Sequence, residues 1–422
     1  MSVSALSVLL LWAFALPVLV TYRLLPVPGE PYLLHTILFI LLGFLTIASV
    51  YPSLISKKFP LESVKTGAFI FVVCAVFFGS LTTLIIDRGK IAPGSSYNVH
   101  DIIVQLEVAL RFLSADKNPY KETYVGTALE QWGYSELGVT AVNPALYHFV
   151  MPPWYLIFSF PVYAAAMRTV GFFDGRMPLL LTLLGTLVIC WLWFRDKGYA
   201  KLAILLALLS PAVAAYHLEG RSDGFAFFWL LAAMFFLEKG RLFWSAIIMA
   251  LAIMSKQTIW FAVPFYILFV SCKYRRPLIF ARSMVPTIIV MAVVTVPFLL
   301  WDTKAFLDST VFYLSGASEH AYPISGYGFG MLLYSIGIIK DIHQYFPFWF
   351  WQALFGVPTL IWSLVFLKRK PTMSRLLMLY GLTLFVVWYF SRYFNNSHLS
   401  YIATIFSLGM VKGWDEESAN KE

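Results

Sequence analysis

The sequence predicts an all-α polytopic membrane protein. Of its 422 residues, 60% are hydrophobic and only 13% are charged, and the mean hydropathy is +0.75. This composition excludes an ordinary soluble globular protein. Apolar runs long enough to cross about 30 Å of hydrocarbon recur along the chain. The net charge of +9 comes from basic residues in short loops between these runs, so it indicates membrane topology rather than nucleic-acid binding.

The apolar runs define the individual spans in chain order, and they predict about 12 transmembrane helices. The first run lacks the basic start and the small-residue cleavage site of a signal peptide, so we expect it to be a retained span. Several runs are short, which suits helices that end at a water-filled cavity. The runs are 3–22, 32–51, 66–86, 177–194, 200–216, 223–238, 241–255, 258–271, 283–301, 348–367, 374–390 and 398–412.

The basic connectors between these runs predict the orientation of the chain. They all fall on the cytoplasmic side, as the positive-inside rule requires, only if the ambiguous apolar segment 153–171 does not cross the membrane. We therefore predict that 153–171 is a membrane-skimming helix at the outer interface, with Arg168 and Arg176 at headgroup depth. Both termini are then cytoplasmic. The basic connectors are 57–65, 195–201, 273–282 and 368–375.

This orientation gathers the unusual polar residues on the outer face, and it divides the chain into four parts. They are an N-terminal transmembrane hairpin with a cytoplasmic loop (1–65), a main module (66–301) with an outer loop (87–176), a C-terminal transmembrane module (302–412) with an outer loop (302–347), and a cytoplasmic tail (413–422).

The first outer loop carries the most informative segment of the chain. Residues 101–116 have helical periodicity, with an apolar stripe on one face and with Asp101 and Gln105 together on another. One interpretation is that Asp101 is the N-cap of an amphipathic interfacial helix. The other is that its carboxylate, at the mouth of a low-dielectric cavity, acts as a general base. The two interpretations are compatible.

Ionisable residues at the outer ends of later spans are further candidates. Arg221 and Asp223 adjoin the start of a span, where such residues either serve function or form a structural ion pair with each other. Lys256, followed by Gln257, interrupts a long apolar stretch. It either snorkels to the surface or, as an unpaired lysine at a helix break, binds a phosphate.

Two loop residues complete the set of candidates. His320 lies among small residues that permit close approach of a ligand, and the alternative is an ordinary loop histidine. Arg392 opens the last outer loop, where it either clamps a phosphate or meets lipid headgroups. The sequence has no Walker or dinucleotide-binding glycine motif and no metal-ligand spacing. We therefore expect the protein to use no metal and no cofactor. A transfer reaction whose donor group is carried on a lipid would require neither.

A series of short motifs follows the chain in a characteristic order. They are Asp101 after a span, Asn118-Pro119-Tyr120, Pro152-Pro153-Trp154-Tyr155, Gly220 to Asp223, the run around Lys256, Pro297 to Asp308 with Ser325-Gly326, and Arg392-Tyr393-Phe394. Taken in this order, the motifs resemble the GT-C superfamily of integral-membrane glycosyltransferases, and within it a mannosyltransferase-like branch. The resemblance covers residues 66–410. Residues 3–51 depart from the family as an extra N-terminal hairpin, and His100 stands where many relatives carry a second acidic residue, which speaks against a metal-dependent mechanism.

The resemblance implies a GT-C-like bundle with amphipathic juxtamembrane helices in the outer loop, and an active site on the outer face of the cell membrane. It implies inverting transfer of one sugar, mannose by analogy with that branch, from a polyprenyl-phosphate carrier to a lipid or glycan acceptor. Asp101 would be the general base. A transporter or flippase of a lipid-linked saccharide is the alternative function. The expected substrate-binding residues are His100, Gln105, Tyr120, Arg221, Asp223, Lys256, Gln257, His320 and Arg392.

Overall fold

The computed structural model is almost entirely helical in the residues that it describes. The predicted basic connectors at Lys57-Lys58 and Arg275-Arg276, and the last residues of the predicted tail (420–422), lie outside the described residues. The described residues are 3–21, 33–54, 60–274 and 277–419.

In the part of the chain that the structure describes, the apolar runs predicted as spans fall mainly on helical structure. In chain order the α-helices are α1 Val3–Thr21, α2 Leu33–Val50, α3 Leu61–Val73, α4 Gly79–Ile91, α5 Asp101–Ser114, α6 Pro153–Thr169, α7 Arg176–Trp193, α8 Lys197–Ile204, α9 Ala214–Glu219, α10 Asp223–Glu238, α11 Leu242–Ile253, α12 Val263–Lys273, α13 Pro277–Trp301, α14 Thr303–Leu307, α15 Tyr313–Ser315, α16 Phe329–Ser335, α17 Phe348–Arg369, α18 Met373–Tyr389 and α19 Asn396–Ala419.

Short irregular elements join these helices. The strand β1 pairs antiparallel with β2, and β3 pairs in parallel with β4 at the register Ser325 to Tyr393, which ties the loop before α16 to the loop before α19. The elements are the π-helical turns Cys74–Phe78, Leu205–Leu209 and Asp308–Phe312, the 3-10 helices Pro52–Leu54, Pro144–Leu146 and Gln257–Ala262, and the strands β1 Ser135–Glu136, β2 Val139–Thr140, β3 Ser325–Gly326 and β4 Tyr393–Phe394.

Six of the described helices are long and apolar enough to cross a membrane. The fold is therefore that of an all-α polytopic membrane protein. The larger number of about 12 spans stays a prediction, because several runs form shorter helices or are interrupted. The run 200–216, for example, is divided between α8, a π-helical turn and α9. The long helices are Val3–Thr21, Leu33–Val50, Leu61–Ile91, Arg176–Trp193, Phe280–Trp301 and Phe348–Arg369.

The segment expected to skim the membrane forms a helix, α6, over almost the predicted range. Its N-terminal half is the better packed, with Tyr155, Leu156 and Ser159 buried. It lies against α5, α7 and α13. Its placement at the membrane interface stays a prediction.

Ion pairs and hydrogen bonds between helix ends define one end of the bundle. Glu238, at the end of α10, accepts a hydrogen bond from the indole of Trp193 at the end of α7. Lys412 Nζ of α19 lies 3.2 Å from Glu238 Oε2. The backbone N–H of Arg195 donates to Asp415 Oδ1 at 3.0 Å. The connector after α7 and the C-terminal helix therefore share this end, whose assignment to the cytoplasm is a prediction from the positive-inside rule.

The polar loops meet at the opposite end. The backbone N–H of His100 donates to the carbonyl of Glu219 at 2.8 Å, which joins the start of α5 to the segment before α10. The N–H of Trp154 donates to the carbonyl of Met254 at 3.1 Å, which joins the start of α6 to the end of α11. The predicted site residues are thus brought together by helix termini rather than by a single motif.

Candidate functional site

Most of the predicted site residues line one cavity at this end. The cavity contains about 960 Å³ of empty space, part of it open to solvent. Its walls come from the starts of α5 and α10, the break after α11, and the loops before α6 and α19. The predicted residues that line it are His100, Asp101, Gln105, Arg221, Asp223, Lys256 and Gln257.

Asp101 is the first helical residue of α5, and its carboxylate is held from both sides. His100 Nδ1 lies 2.7 Å from one carboxylate oxygen, and Asn143 Nδ2 donates to the other at 3.2 Å. Because an ionised carboxylate only accepts hydrogen bonds, the short contact places a hydrogen on His100 Nδ1. The N–H of Ile102 lies 3.4 Å from the same nitrogen, which cannot accept a hydrogen bond while it carries a hydrogen.

The expectation that Asp101 is the N-cap residue of α5 is wrong, and the placement of this helix at the membrane interface stays a prediction. His100 occupies the N-cap position, with extended backbone angles, and the helix begins one residue later. The helix is also buried almost all round over its first three turns, from Ile102 to Leu110. Packing of this loop under neighbouring segments, which local periodicity does not report, is the reason.

The surroundings of Asp101 favour its charged form. Burial opposes ionisation, but attraction to His100 and hydrogen bonds from His100 and Asn143 hold the pKa of Asp101 below its ordinary value. Its side chain keeps 19% of its surface exposed. Asp101 is therefore a carboxylate held in its charged form and in a fixed position, where a bound molecule can reach it.

Lys256 and Asp223 form an ion pair across the same cavity. Lys256 Nζ lies 2.7 Å from Asp223 Oδ1, and both side chains remain partly exposed, at 17% and 13%. Lys256 has an extended backbone between α11 and the following 3-10 helix, so the helix break predicted from the sequence is present. The expectation that Lys256 is unpaired is wrong, because α10 presents its first residue, Asp223, to the break.

Arg221 does not pair with Asp223 as one interpretation expected. Its Nε lies 3.3 Å from Glu219 Oε2, and its Nη1 donates to Asn396 Oδ1 at 3.1 Å. The guanidinium also stacks over the ring of Tyr216, 4.4 Å from its centroid. A cation held by one partly exposed carboxylate and one amide retains free donors toward the cavity.

The two glutamines of the cavity join loops. Gln105 Nε2 donates to the carbonyls of Ala145 and His148, at 2.6 and 2.8 Å. Gln257 Nε2 donates to the carbonyls of Val150 and Thr310, at 2.8 and 3.0 Å. Both amide hydrogens of each residue are therefore used. Gln105 holds the loop over 145–150 against α5, and Gln257 joins the same loop to the π-helical turn Asp308–Phe312.

Three predicted residues do not line this cavity: Tyr120, His320 and Arg392, of which Arg392 lines the neighbouring cavity described below. Tyr120 is buried, its hydroxyl donates to the carbonyl of Met151 at 2.8 Å, and its ring packs edge-on against Phe298. His320 has a positive φ of 55° and stacks on Tyr147, with ring centroids 3.8 Å apart. His320 lines a smaller, separate cavity of about 490 Å³.

Arg392 holds the loop over 322–344 in place. Its guanidinium donates to the carbonyl oxygens of Tyr322, Ile342, His343 and Gln344, and the last bond is 2.9 Å long. Burial lowers the pKa of Arg392 to about 10, which leaves it charged at neutral pH. All of its nitrogens thus have backbone partners within the protein.

Residues that the sequence did not single out complete the cavity. The hydroxyl of Tyr322, at the rim of the cavity, accepts a hydrogen bond from Asn395 Nδ2 at 3.2 Å. Burial raises the pKa of Tyr322, so its hydroxyl stays protonated at neutral pH. No local sequence pattern marks these lining residues as part of a site, because aromatic residues occur throughout the chain. The missed lining residues include Trp132, Tyr134, Tyr313, Tyr322, Tyr393, Asn395 and His398.

A second cavity adjoins the first. It contains about 1190 Å³ of empty space and is walled mainly by aromatic and aliphatic side chains. Five residues line both cavities and mark the junction between them: Lys256, Gln257, Leu314, Tyr393 and His398. The walls of the second cavity include Trp260, Phe261, Val311, Phe312, Phe348, Trp349 and Trp388.

A buried ionic network supports α5 from behind the site. Arg88 of α4 binds both carboxylate oxygens of Glu107, at 2.6 and 2.9 Å, and also lies 3.0 Å from Asp174. Arg176 binds both oxygens of Asp174, at 3.0 and 2.8 Å. None of these side chains is more than 5% exposed. Sequence reasoning missed this network because its members are far apart in the chain, although each is a charge beside an apolar run.

The same network reaches the backbone on both sides of the cavity. Arg176 donates to the carbonyls of Asn98 and Leu218, each at 3.3 Å. Asn98 precedes the His100–Asp101 pair, and Leu218 precedes Arg221. The network therefore fixes the two halves of the cavity relative to each other.

No protein-family model, curated protein or solved structure matches this chain. The fold and the cavity define its class as an all-α polytopic membrane protein with a polar candidate site at one end of the helix bundle. Within the described segments, no group of three or more His, Cys, Asp or Glu residues is arranged to hold a metal ion.

Proposed function

We propose that the protein is a membrane glycosyltransferase of the GT-C type. It transfers one sugar, mannose in the first instance, from a polyprenyl-phosphate carrier to a hydroxyl of a lipid or glycan acceptor at the outer face of the cell membrane. The observation that carries the proposal is the junction of two cavities, one polar with an ionised carboxylate and one aromatic, at a partly exposed lysine.

Each cavity suits one part of such a reaction. The aromatic cavity offers an apolar surface for the polyprenyl chain of the donor. The polar cavity, with its tyrosine and tryptophan walls, offers hydrogen-bonding groups and ring faces for sugars. A donor lying across the junction would place its phosphate beside Lys256 and its sugar toward Asp101.

The proposed chemistry is a single displacement. Asp101 accepts the proton of the acceptor hydroxyl while that oxygen attacks the anomeric carbon. The bond between the anomeric carbon and the phosphate oxygen breaks, and its electron pair leaves with polyprenyl phosphate, so the configuration inverts. General-base assistance contributes about 10²–10⁴-fold to a rate.

Lys256 is proposed to stabilise the departing phosphate. Its partner Asp223 is partly exposed, so the ammonium can exchange a carboxylate for a phosphate oxygen without leaving the cavity. Arg221, which retains free donors, is positioned as a second cation. Charge fixed in place before the reaction is often the larger contribution to catalysis.

The test is sugar transfer in proteoliposomes from radiolabelled polyprenyl-phosphate mannose to lipid and glycan acceptors. The Asp101→Asn variant should lose about 10²–10⁴-fold in rate. It should still fold, with an unfolding temperature lowered only by the loss of the contacts that stabilise the ionised carboxylate. Asp116→Asn is the matched control, because Asp116 is exposed, has a positive φ that asparagine also tolerates, and lies beyond the end of α5.

The outcomes separate the alternatives. Equal transfer by wild type and Asp101→Asn would keep the enzyme and remove Asp101 as its base. No transfer from any polyprenyl-phosphate sugar, together with movement of lipid-linked sugar across the bilayer, would replace the proposal by a flippase.

A further inference from the structure

A further open cavity lies at the end of the bundle opposite the candidate site. It contains about 1410 Å³ of empty space between the starts of α1 and α3, the end of α7 and the start of α8. Its walls are mixed, with the hydroxyls of Ser4, Ser63 and Thr66, the indole of Trp191, the carboxylates of Glu62 and Asp196, and the ammonium groups of Lys197 and Lys201. Neither the resemblance nor the proposed transfer reaction uses any of these residues.

Lys201 is the unusual member of this cavity. Only 6% of the residue is exposed. Among the described residues, no hydrogen-bond acceptor or carboxylate lies within bonding distance of its Nζ, and its one close contact is the ring of Phe69, 5.8 Å away at the centroid. A buried ammonium without an anionic partner is costly. Its retention at a cavity wall points to a ligand that supplies the missing negative charge.

The other charges around the cavity are already occupied. Lys65 Nζ lies 2.8 Å from Glu62 Oε1. Asp196 caps α8 by accepting from the backbone N–H of Gly198 at 2.6 Å. Lys197 Nζ donates to the carbonyl of Trp191 at 2.8 Å. Glu62 and Asp196 therefore attract Lys201 only from a distance, and neither carboxylate forms an ion pair with it in the described part of the chain.

We propose that this cavity binds a phosphate group, with Lys201 as its main ligand. Hydroxyls and an ammonium suit the oxygens of a phosphate, and basic pockets between helices at one face of a membrane protein bind anionic lipid headgroups. The phosphate can come from an anionic phospholipid of the surrounding leaflet or from a soluble ion, and the two sources are separable by experiment.

The experiment measures the thermal unfolding temperature of the purified full-length protein in detergent micelles. Phosphatidylglycerol, phosphatidylcholine and inorganic phosphate are added separately to the wild type and to Lys201→Met, Lys201→Arg and Lys368→Met. Lys368→Met is the matched control, because Lys368 is an exposed lysine at the end of α17, at the same end of the bundle. Phosphatidylglycerol should raise the unfolding temperature of the wild type, Lys201→Arg and Lys368→Met, and Lys201→Met should lose most of that rise.

A second variant keeps the test decisive if Lys201→Met does not fold. Gly67 lines the cavity from α3, and a Cβ added there meets no atom within 4 Å, so Gly67→Leu should fold and fill the space. It should abolish the rise caused by phosphatidylglycerol. The same Lys201-dependent rise with inorganic phosphate alone would support the site and identify a soluble source. Equal rises in Lys201→Met, Gly67→Leu and the control, or no rise in any protein, would overturn the proposal.

Discussion

Two groups of charges each have one carboxylate on helix α5, and the groups differ in exposure and in the number of bonds that their members make. Glu107, in the second turn of α5, belongs to a network whose members are at most 5% exposed and whose carboxylates are bound through both oxygens. Asp101, at the start of α5, and the Lys256–Asp223 pair across the cavity are 13–19% exposed and have fewer bonds. Helix α5 thus contributes Glu107 to a buried network whose members are fully bonded, the closed network. It contributes Asp101 to a group of charges that faces the cavity, the open network.

The difference teaches where chemistry can occur in this molecule. Buried charges that pair with one another stabilise a single arrangement, but they leave no hydrogen-bond donor or acceptor free for a ligand. Charges that face a cavity and have few partners can exchange one of those partners for a substrate. Because the closed network also bonds the backbone on both sides of the cavity, we infer that its role is to hold the open one in place.

The largest expected effect comes from breaking the closed network. Glu107→Ala leaves Arg88 buried without its bidentate partner, so the variant should be destabilised by about 3–5 kcal/mol. The measurement is thermal unfolding in detergent, read as loss of monodisperse protein on heating. Asp87→Ala is the control, because Asp87 is an exposed carboxylate next to Arg88 on α4. An unfolding temperature equal to that of the control would contradict a stabilising role for the network.

The open pair should respond in rate rather than in stability. Lys256→Gln removes a cation that the proposed reaction needs at the departing phosphate, so transfer should fall by roughly 10²–10³-fold, as when one preorganised donor is removed. The unfolding temperature should change little, because the pair is partly open to solvent and Asp223 can then be hydrated. Steady-state transfer assays on the folded variant measure this, and wild-type turnover would remove Lys256 from the mechanism.

Acid should separate Asp101 from the rest of the protein. Its pKa in the folded state is held below its ordinary value, so its ionised form stabilises the fold above about pH 4, and this contribution is lost as the pH falls through the folded-state pKa. The stability difference between wild type and Asp101→Asn should therefore be widest near neutral pH and should close on acidification. Unfolding temperatures of both proteins across this range are the measurement, and a difference that grows in acid would contradict the assignment.

The helices could be predicted from the sequence because they depend on local pattern. The run predicted as 223–238 forms α10 over Asp223–Glu238, and 348–367 forms α17 over Phe348–Arg369. The helix after His100 was also predicted, although its depth of burial was not. Length and apolar content fix such elements before tertiary contacts form.

The partners within the site could not be predicted in this way. Lys256 and Asp223 are 33 residues apart, and Arg88 and Asp174 are 86 residues apart. Which carboxylate meets which cation depends on how the helix ends are arranged in space. The sequence could mark Asp101, Arg221 and Lys256 as costly polar residues near spans, but it could not distinguish a residue that faces the cavity from one, such as Arg392, that binds loop carbonyls.

The smallest expected effect concerns Tyr120, which lies behind the cavity wall. Tyr120→Phe keeps the ring packed against Phe298 and removes only the hydrogen bond to the carbonyl of Met151. The loss should be about 1 kcal/mol of stability, because one buried carbonyl loses a donor while the apolar contacts remain. Transfer kinetics should be unchanged, with the same KM for donor and acceptor. A raised KM at wild-type stability would instead place the Tyr120 hydroxyl in contact with substrate, and the boundary between the open and closed regions would then lie deeper than the cavity wall indicates.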